Sequence, residues 1–286
     1  MKSNMLKKII FSILITLLTF SVQAGDKTYK MVFVPASEKG DESDYKTLIS
    51  ITEKLTGFNI ETIKVTDYNA AVEAMRAGRA HIAWYGGKTY VKAAEIAQAE
   101  AFAAGVRPGE KDAGYYTYFV VKKDSEIKKF DDVKGKVLSL NTIGSTSGDL
   151  IPQVELSKIN LSTKNKDHFE NVFYAGSHDA CLLAVINNQS DVCGMSSRNY
   201  EARLEDGTFK KEDVRIIHKS DRVPPPPLAY SKMIPIEDRE KIKKAVLEAH
   251  KHGQICGYGG KMSHYMEVKD SDYNVLREVI ELLNKS

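Results

Sequence analysis

The sequence predicts an α/β protein of two αβ lobes joined by a double-crossover hinge, and three observations carry that expectation. Strand-like apolar runs alternate with segments of helical periodicity from Tyr29 to Lys219. The alternation falls into two series, separated by the long aromatic run from Tyr115 to Val121. Pro224-Pro225-Pro226-Pro227 then stops the second series, because four successive residues lack a backbone donor and fix φ, and one more strand and two more helices follow.

The elements follow in order. Tyr29 to Pro35 is a short apolar strand, followed by a polar loop through Asp44. Tyr45, Leu48, Ile49, Ile51 and Leu55 recur at helical spacing up to Gly57. Phe58 to Val65 alternates as a strand, Asn69 to Ala77 is a helix ended by Gly78, and His81 to Tyr85 is a strand broken by Gly86-Gly87. A helix runs from Thr89 to about Ala97, so this βαβαβα series predicts a parallel sheet with crossover helices. The second series has strands at 136–140, 172–175, 192–196 and 214–219 and a helix from Asp179 to Asn187. After the prolines come a strand at 228–231, a helix from Glu237 to His250 and a last helix from Asp272 to Leu283. The expected division is 1–24 as a leader, 25–117 with 228–286 as lobe 1, and 118–227 as lobe 2, with the lobes joined near 116–120 and 223–229. Ligands of open α/β sheets sit at the carboxyl ends of strands, which between two lobes means one shared cleft.

Composition narrows the function classes. The chain of 286 residues has 41 Lys+Arg against 38 Asp+Glu, and the excess is Lys2, Lys7 and Lys8, with no acid among the first 24 residues. The remaining 262 residues are evenly balanced, which excludes a nucleic-acid-coating protein, because phosphate-backbone binding needs surplus positive charge. Those three lysines precede an apolar run from Ile9 to Phe20 and the small-residue site Ser21-Val22-Gln23-Ala24, a secretory signal peptide cleaved after Ala24. That run of 12 residues falls short of a membrane span. Residue 25 is Gly, so the usual lipid-attachment cysteine is missing, and the expected mature protein is soluble in the periplasm. Of three cysteines, Cys181 and Cys193 both lie in apolar stretches that suit buried thiols, and sequence leaves their pairing open.

Enzyme templates fail. Gly87-Lys88-Thr89 would need a glycine at 82, where Ile82 stands, and Gly260-Lys261 meets Ile255 in the same place. Ser177-His178-Asp179 holds triad residue types, but chain neighbours point apart. His250, His252, Cys256 and His264 suit a solvated helix end and loop better than a metal site. The expectation is therefore no enzyme, no metal and no cofactor.

Anion-binding devices are what remain. Asn141-Thr-Ile-Gly-Ser-Thr-Ser-Gly-Asp149 follows a strand and precedes a helix beginning near Leu150, so Ser145, Thr146 and Ser147 offer hydroxyls, free N–H groups and a positive dipole end. The plain alternative is a turn in which Ser147 caps the helix. Ala175-Gly-Ser-His-Asp179 repeats the arrangement with His178 as a donor.

Five segments in register carry a resemblance: 67–76, His81-Ile-Ala-Trp-Tyr-Gly86, Gly114-Tyr115, Ser145-Thr-Ser-Gly148 and Ser177-His-Asp-Ala180. Together they resemble the periplasmic phosphonate/phosphite/phosphate-binding proteins of ABC importers, over about Tyr29 to Tyr230. The resemblance implies a type II two-lobed binding-protein fold. It also implies that Ser145, Thr146 and Ser147 grip a tetrahedral oxyanion beside His178 while Tyr68 and Tyr115 close on it. Tyr85, Ser177, Asp179 and Asn199 are further candidates. Family members that bind aminoalkylphosphonates place acids where this chain has Arg198-Asn199 and the proline run. An ammonium without an acid partner is costly to bury, so the expected ligands are phosphite, an alkylphosphonate or phosphate rather than 2-aminoethylphosphonate. Trp84-Tyr-Gly-Gly-Lys-Thr89 departs from the commoner Gly-Pro form, which keeps other oxyanions, selenate or sulfate-like, as an alternative. A ligand-sensing domain and, less well supported, a secreted hydrolase are the other classes. The implied partner is an ABC permease, met by a monomer.

Overall fold

Residues 27–36 and 41–285 are described by a computed structural model. The expected leader lies outside them. Strands β1 (Thr28–Phe33), β2 (Asn59–Ile63), β3 (Ile82–Trp84), β4 (Ala99–Val106), β10 (Leu228–Ser231) and β13 (His264–Glu267) form one sheet in the order β13-β4-β10-β3-β1-β2. Helices α1 (Asp41–Thr56), α2 (Tyr68–Arg76), α3 (Gly87–Ile96), α7 (Ile236–Glu248) and α8 (Asn274–Lys285) accompany it. A second sheet, β7-β6-β8-β5-β9, comprises β5 (Thr117–Lys122), β6 (Val137–Leu140), β7 (Asn171–Tyr174), β8 (Val192–Ser196) and β9 (Val214–Lys219). Its helices are α4 (Ile151–Lys158), α5 (His178–Ile186) and α6 (Ser197–Glu205). The short strands β11 (Ile255–Gly257) and β12 (Gly260–Met262) make a separate hairpin.

This is the two-lobed α/β architecture, with one correction. Strand β1 pairs in parallel with both β2 and β3, as right-handed βαβ units require, but β10 enters antiparallel between β3 and β4, and β13 is antiparallel to β4. Both sheets are mixed rather than parallel, because the chain returns from the other lobe with its direction reversed. The long strand β4 is absent from the sequence reading. Its run Ala99-Glu-Ala-Phe-Ala-Ala-Gly-Val106 is buried almost throughout, so it lacks the polar alternation of a half-exposed strand, and alanine is a poor strand former. Helix α6 and the strands β11–β13 were likewise not expected, and α1 begins at Asp41 rather than Tyr45.

The cores are separate. One lies around Met31, Val32, Ile82, Phe102 and Tyr230 in the first lobe. In the second, successive residues of β5 face opposite sides of the sheet: Phe119 packs with Phe130, Leu138 and Leu156, and Val120 with Leu182, Met195 and Tyr200. Cys181 of α5 and Cys193 of β8 lie on the Val120 side and form a disulfide, with Cα atoms 5.6 Å apart. The apolar setting that suited two thiols suits the bridge equally.

The chain crosses between sheets after β4 and after β9, and the two crossings touch. Tyr115 N–H donates to Val223 O at 3.2 Å and Val223 N–H to Tyr115 O at 2.8 Å. From Pro224 onward no donor is left to extend that ladder.

Candidate functional site

The loops after β1, β3, β6 and β7 converge from the two lobes on one small cavity, of about 10 Å³. Ala36, Tyr68, Trp84, Gly86, Tyr115, Pro226 and Tyr258 line it, facing Ser145, Thr146, Ser147 and His178 from the second sheet's loops. All six principal candidates therefore meet at one place. A far larger hollow of about 930 Å³ opens on the outside of the first lobe, between α3 and α8, and contains none of them.

The loop after β6 is shaped for this. Ser145, not Ser147, is the cap: its Oγ accepts Gly148 N–H at 3.1 Å. The chain then runs through a π-helical turn, Thr146–Leu150, into α4. With the cap two residues earlier than expected, Thr146 and Ser147 are left at the opening of the helix, where backbone N–H groups have no preceding carbonyl to meet. Gly148 makes the turn possible, since a Cβ there would lie 2.3 Å from Asn141 Cβ and 2.8 Å from His178 Cε1. Asp149 turns away from the cavity and accepts from Lys88 Nζ (2.6 Å), Gln153 Nε2 (2.6 Å), Tyr174 Oη (2.8 Å) and Gly144 N–H (3.1 Å).

His178 has a definite tautomer. Ser196 N–H donates to its Nδ1 at 3.2 Å, so the ring proton sits on Nε2, which donates toward Ser147 Oγ at 3.4 Å. Burial pushes the imidazole down to about 3, and at neutral pH it is an uncharged donor. Burial raises the Tyr115 hydroxyl, opposed by hydrogen bonds with Ser147 and Thr146 and by the Arg198 charge. Tyr68 Oη accepts from Asn141 Nδ2 at 3.4 Å. Among the described residues neither a carboxylate nor an ammonium lines the cavity, so its polar wall consists of hydroxyls, N–H groups and a neutral imidazole.

The lobes are in contact across it. Lys88 N–H donates to Thr146 Oγ1 at 2.9 Å, Thr89 Oγ1 to Gly144 O at 2.9 Å, and His178 N–H to Ala36 O at 3.3 Å. The Lys88–Asp149 ion pair spans the same gap.

The four secondary candidates sit elsewhere. Tyr85 is core, its hydroxyl donating to Ala71 O at 3.2 Å. Ser177 caps α5 by accepting Ala180 N–H, and Asp179 lies 3.8 Å from Arg203 Nε. Asn199 is buried outside the lining. The sequence reading missed Trp84 and Tyr258 as wall residues. Trp84 also has a buried Nε1–H without a partner among the described residues. Its position just before Gly86-Gly87, at a strand's carboxyl end, was the available signal; Tyr258, far along the chain in the β11–β12 turn, gave none.

The sequence profile of the ABC transporter, phosphonate, periplasmic substrate-binding protein family matches residues 22–273. The phosphonates-binding periplasmic protein of Escherichia coli (strain K12) is 28% identical over 212 residues, 72% of this chain but only 61% of that protein's length. Among solved structures, a binding protein component of an ABC phosphonate transporter from Pseudomonas aeruginosa superposes with a TM-score of 0.79 at 22% identity, over 91% of this chain and 87% of that one. PhnD1 of Prochlorococcus marinus, solved in complex with methylphosphonate, gives 0.75 at 18% identity, over 91% and 99%. At such identities the structural likeness shows the two-lobed fold.

Proposed function

The chain belongs to the periplasmic phosphonate substrate-binding protein family of ABC transporters, and from that premise we propose that it captures a small tetrahedral phosphorus oxyanion, phosphite, an alkylphosphonate or phosphate, between its lobes. The ligand oxygens take hydrogen bonds from Ser145, Thr146, Ser147 and Nε2 of His178, with Tyr68, Tyr115 and Trp84 closing from the other side. The observation that carries this reading is a cavity walled by convergent neutral donors at a helix start, with no cation in its lining among the described residues. Methylphosphonate in the structurally similar Prochlorococcus protein supports the ligand class.

The same reading assigns delivery to an ABC permease. It also assigns a signal peptide removed after Ala24, a monomer, no nucleic-acid partner and no covalent chemistry or cofactor. The lobes are 25–117 with 228–286 and 118–227, a division supported by the change of sheet between β4 and β5 and between β9 and β10.

A thermal-shift and calorimetry panel of phosphite, methylphosphonate, phosphate, 2-aminoethylphosphonate, sulfate and selenate tests it. At a hundredfold excess over Kd the preferred anion stabilises the fold by about 2.7 kcal/mol. Silence across the phosphorus ligands overturns the proposal, and a response confined to sulfate or selenate redirects it to another oxyanion.

A further inference from the structure

Arg198, at the start of α6, is left unused by the site as described. Its side chain is 2% exposed. Nη2 donates to Ala113 O at 2.7 Å and Gly105 O at 3.2 Å, while Nε has no partner among the described residues. The nearest carboxylate, Glu110, is 3.6 Å away and one-third exposed, so the guanidinium has no close buried counter-ion. The side chain lies directly behind the cavity wall. Its Cζ is 6.0 Å from the ring centroid of Tyr115, and Gly259, next to Tyr258, packs so closely that a Cβ there would be 2.9 Å from Arg198 Cβ. Tyr115 and Tyr258 both face the cavity.

A guanidinium keeps its charge at any ordinary pH. Two unit charges roughly 8 Å apart, in an effective dielectric of about 20, change a binding constant on the order of tenfold or more. The groups that line the cavity are neutral, and Arg198 is a buried cation packed directly behind two of them, Tyr115 and Tyr258.

We propose that Arg198 is a specificity-determining residue, a fixed positive charge behind Tyr115 and Tyr258. It favours a doubly charged tetrahedral anion over a singly charged one of the same shape and disfavours any ligand bearing an ammonium. The inference rests on the oxyanion reading above. Arg198 acts through space and need not touch the ligand. A purely structural strut from α6 to the Gly105 and Ala113 carbonyls would hold the fold equally well, but it would not move the preference between two isosteric anions of different charge.

The test compares methylphosphonate with methanesulfonate by calorimetry, at a pH above the second ionisation of the phosphonate, on the full mature chain. The wild type should favour the phosphonate at least tenfold, Arg198→Gln should reduce that preference tenfold or more, and Arg198→Lys should retain most of it. Glu110→Gln, which removes the partly exposed opposing charge, should raise it about two- to threefold, and this variant decides if the Arg198 variants do not fold. An unchanged preference in folded Arg198→Gln overturns the inference alone, as does a lower preference in Glu110→Gln. A wild type that binds neither methylphosphonate nor any other phosphorus anion overturns the phosphorus-oxyanion reading, and this inference with it.

Discussion

The two strand-to-helix turns of the second lobe, after β6 and after β7, are built from the same parts yet do different things. Each has a glycine at positive φ, Gly144 at 100° and Gly176 at 97°, followed by a serine that caps the helix. In the first, Ser145 takes the cap and is followed by Thr146 and Ser147, so two hydroxyls and two N–H groups open onto the cavity. In the second, Ser177 takes the cap and only the ring of His178 reaches the cavity, pinned from behind by Ser196 N–H, while Asp179 turns toward Arg203. A cap position thus decides how each side chain meets a ligand: the residues just after it are presented free of a capping bond, while the cap's hydroxyl already accepts a helix N–H and has only its own proton to give.

The sharpest way to break that contrast is to delete hydroxyls on both turns. Thr146→Ala with Ser147→Ala should weaken anion binding at least tenfold, because hydrogen bonds to charged groups are worth about 1.5–3 kcal/mol each. Ser177→Ala should cost about 1 kcal/mol of stability and leave affinity within a factor of two or so, as an occupied cap would. Calorimetry and denaturant titration separate the two, and equal affinity losses would abolish the distinction.

Glycine substitutions probe the backbone of the same turns. Gly148→Ala drives a Cβ into Asn141 and the His178 ring and should destabilise by about 3 kcal/mol, the upper end for overpacking. At Gly176 a Cβ meets nothing within 4 Å, and the substitution pays only for its left-handed φ, about 1–2 kcal/mol. Chemical denaturation of the pair should reproduce that order.

The smallest effect sharpens the role of His178. Its imidazole is held down to about 3 in the fold against 6.5 when unfolded, so between those values the unfolded chain binds the extra proton. Stability from this group is complete above pH 6.5 and is lost as pH falls, by about 1.4 kcal/mol between pH 7.5 and pH 5.5. His178→Gln should flatten that interval in a stability-versus-pH profile. An unaltered slope would mean the ring is not buried as a neutral donor.

Much of this was legible in the chain. The period of the apolar residues set the strands and helices of both lobes, the proline run marked the return crossing, and the Ser-Thr-Ser and Ser-His segments stood at strand ends, where α/β proteins place ligands. These are local properties: side-chain direction along a strand, a missing backbone donor, and a hydroxyl near a helix start act on neighbours in sequence. Tertiary structure decided the rest. Strand β4 is buried on both faces and so carries no alternation, and the bond between Cys181 and Cys193 depends on a Cα separation that sequence does not encode locally. Which tautomer His178 adopted, and the arrival of Trp84, Tyr258 and Arg198 around one cavity, depended on groups far apart in the chain. Those contacts exist only once the chain has packed, because a side chain's partners are set by distance in space and not by spacing in sequence.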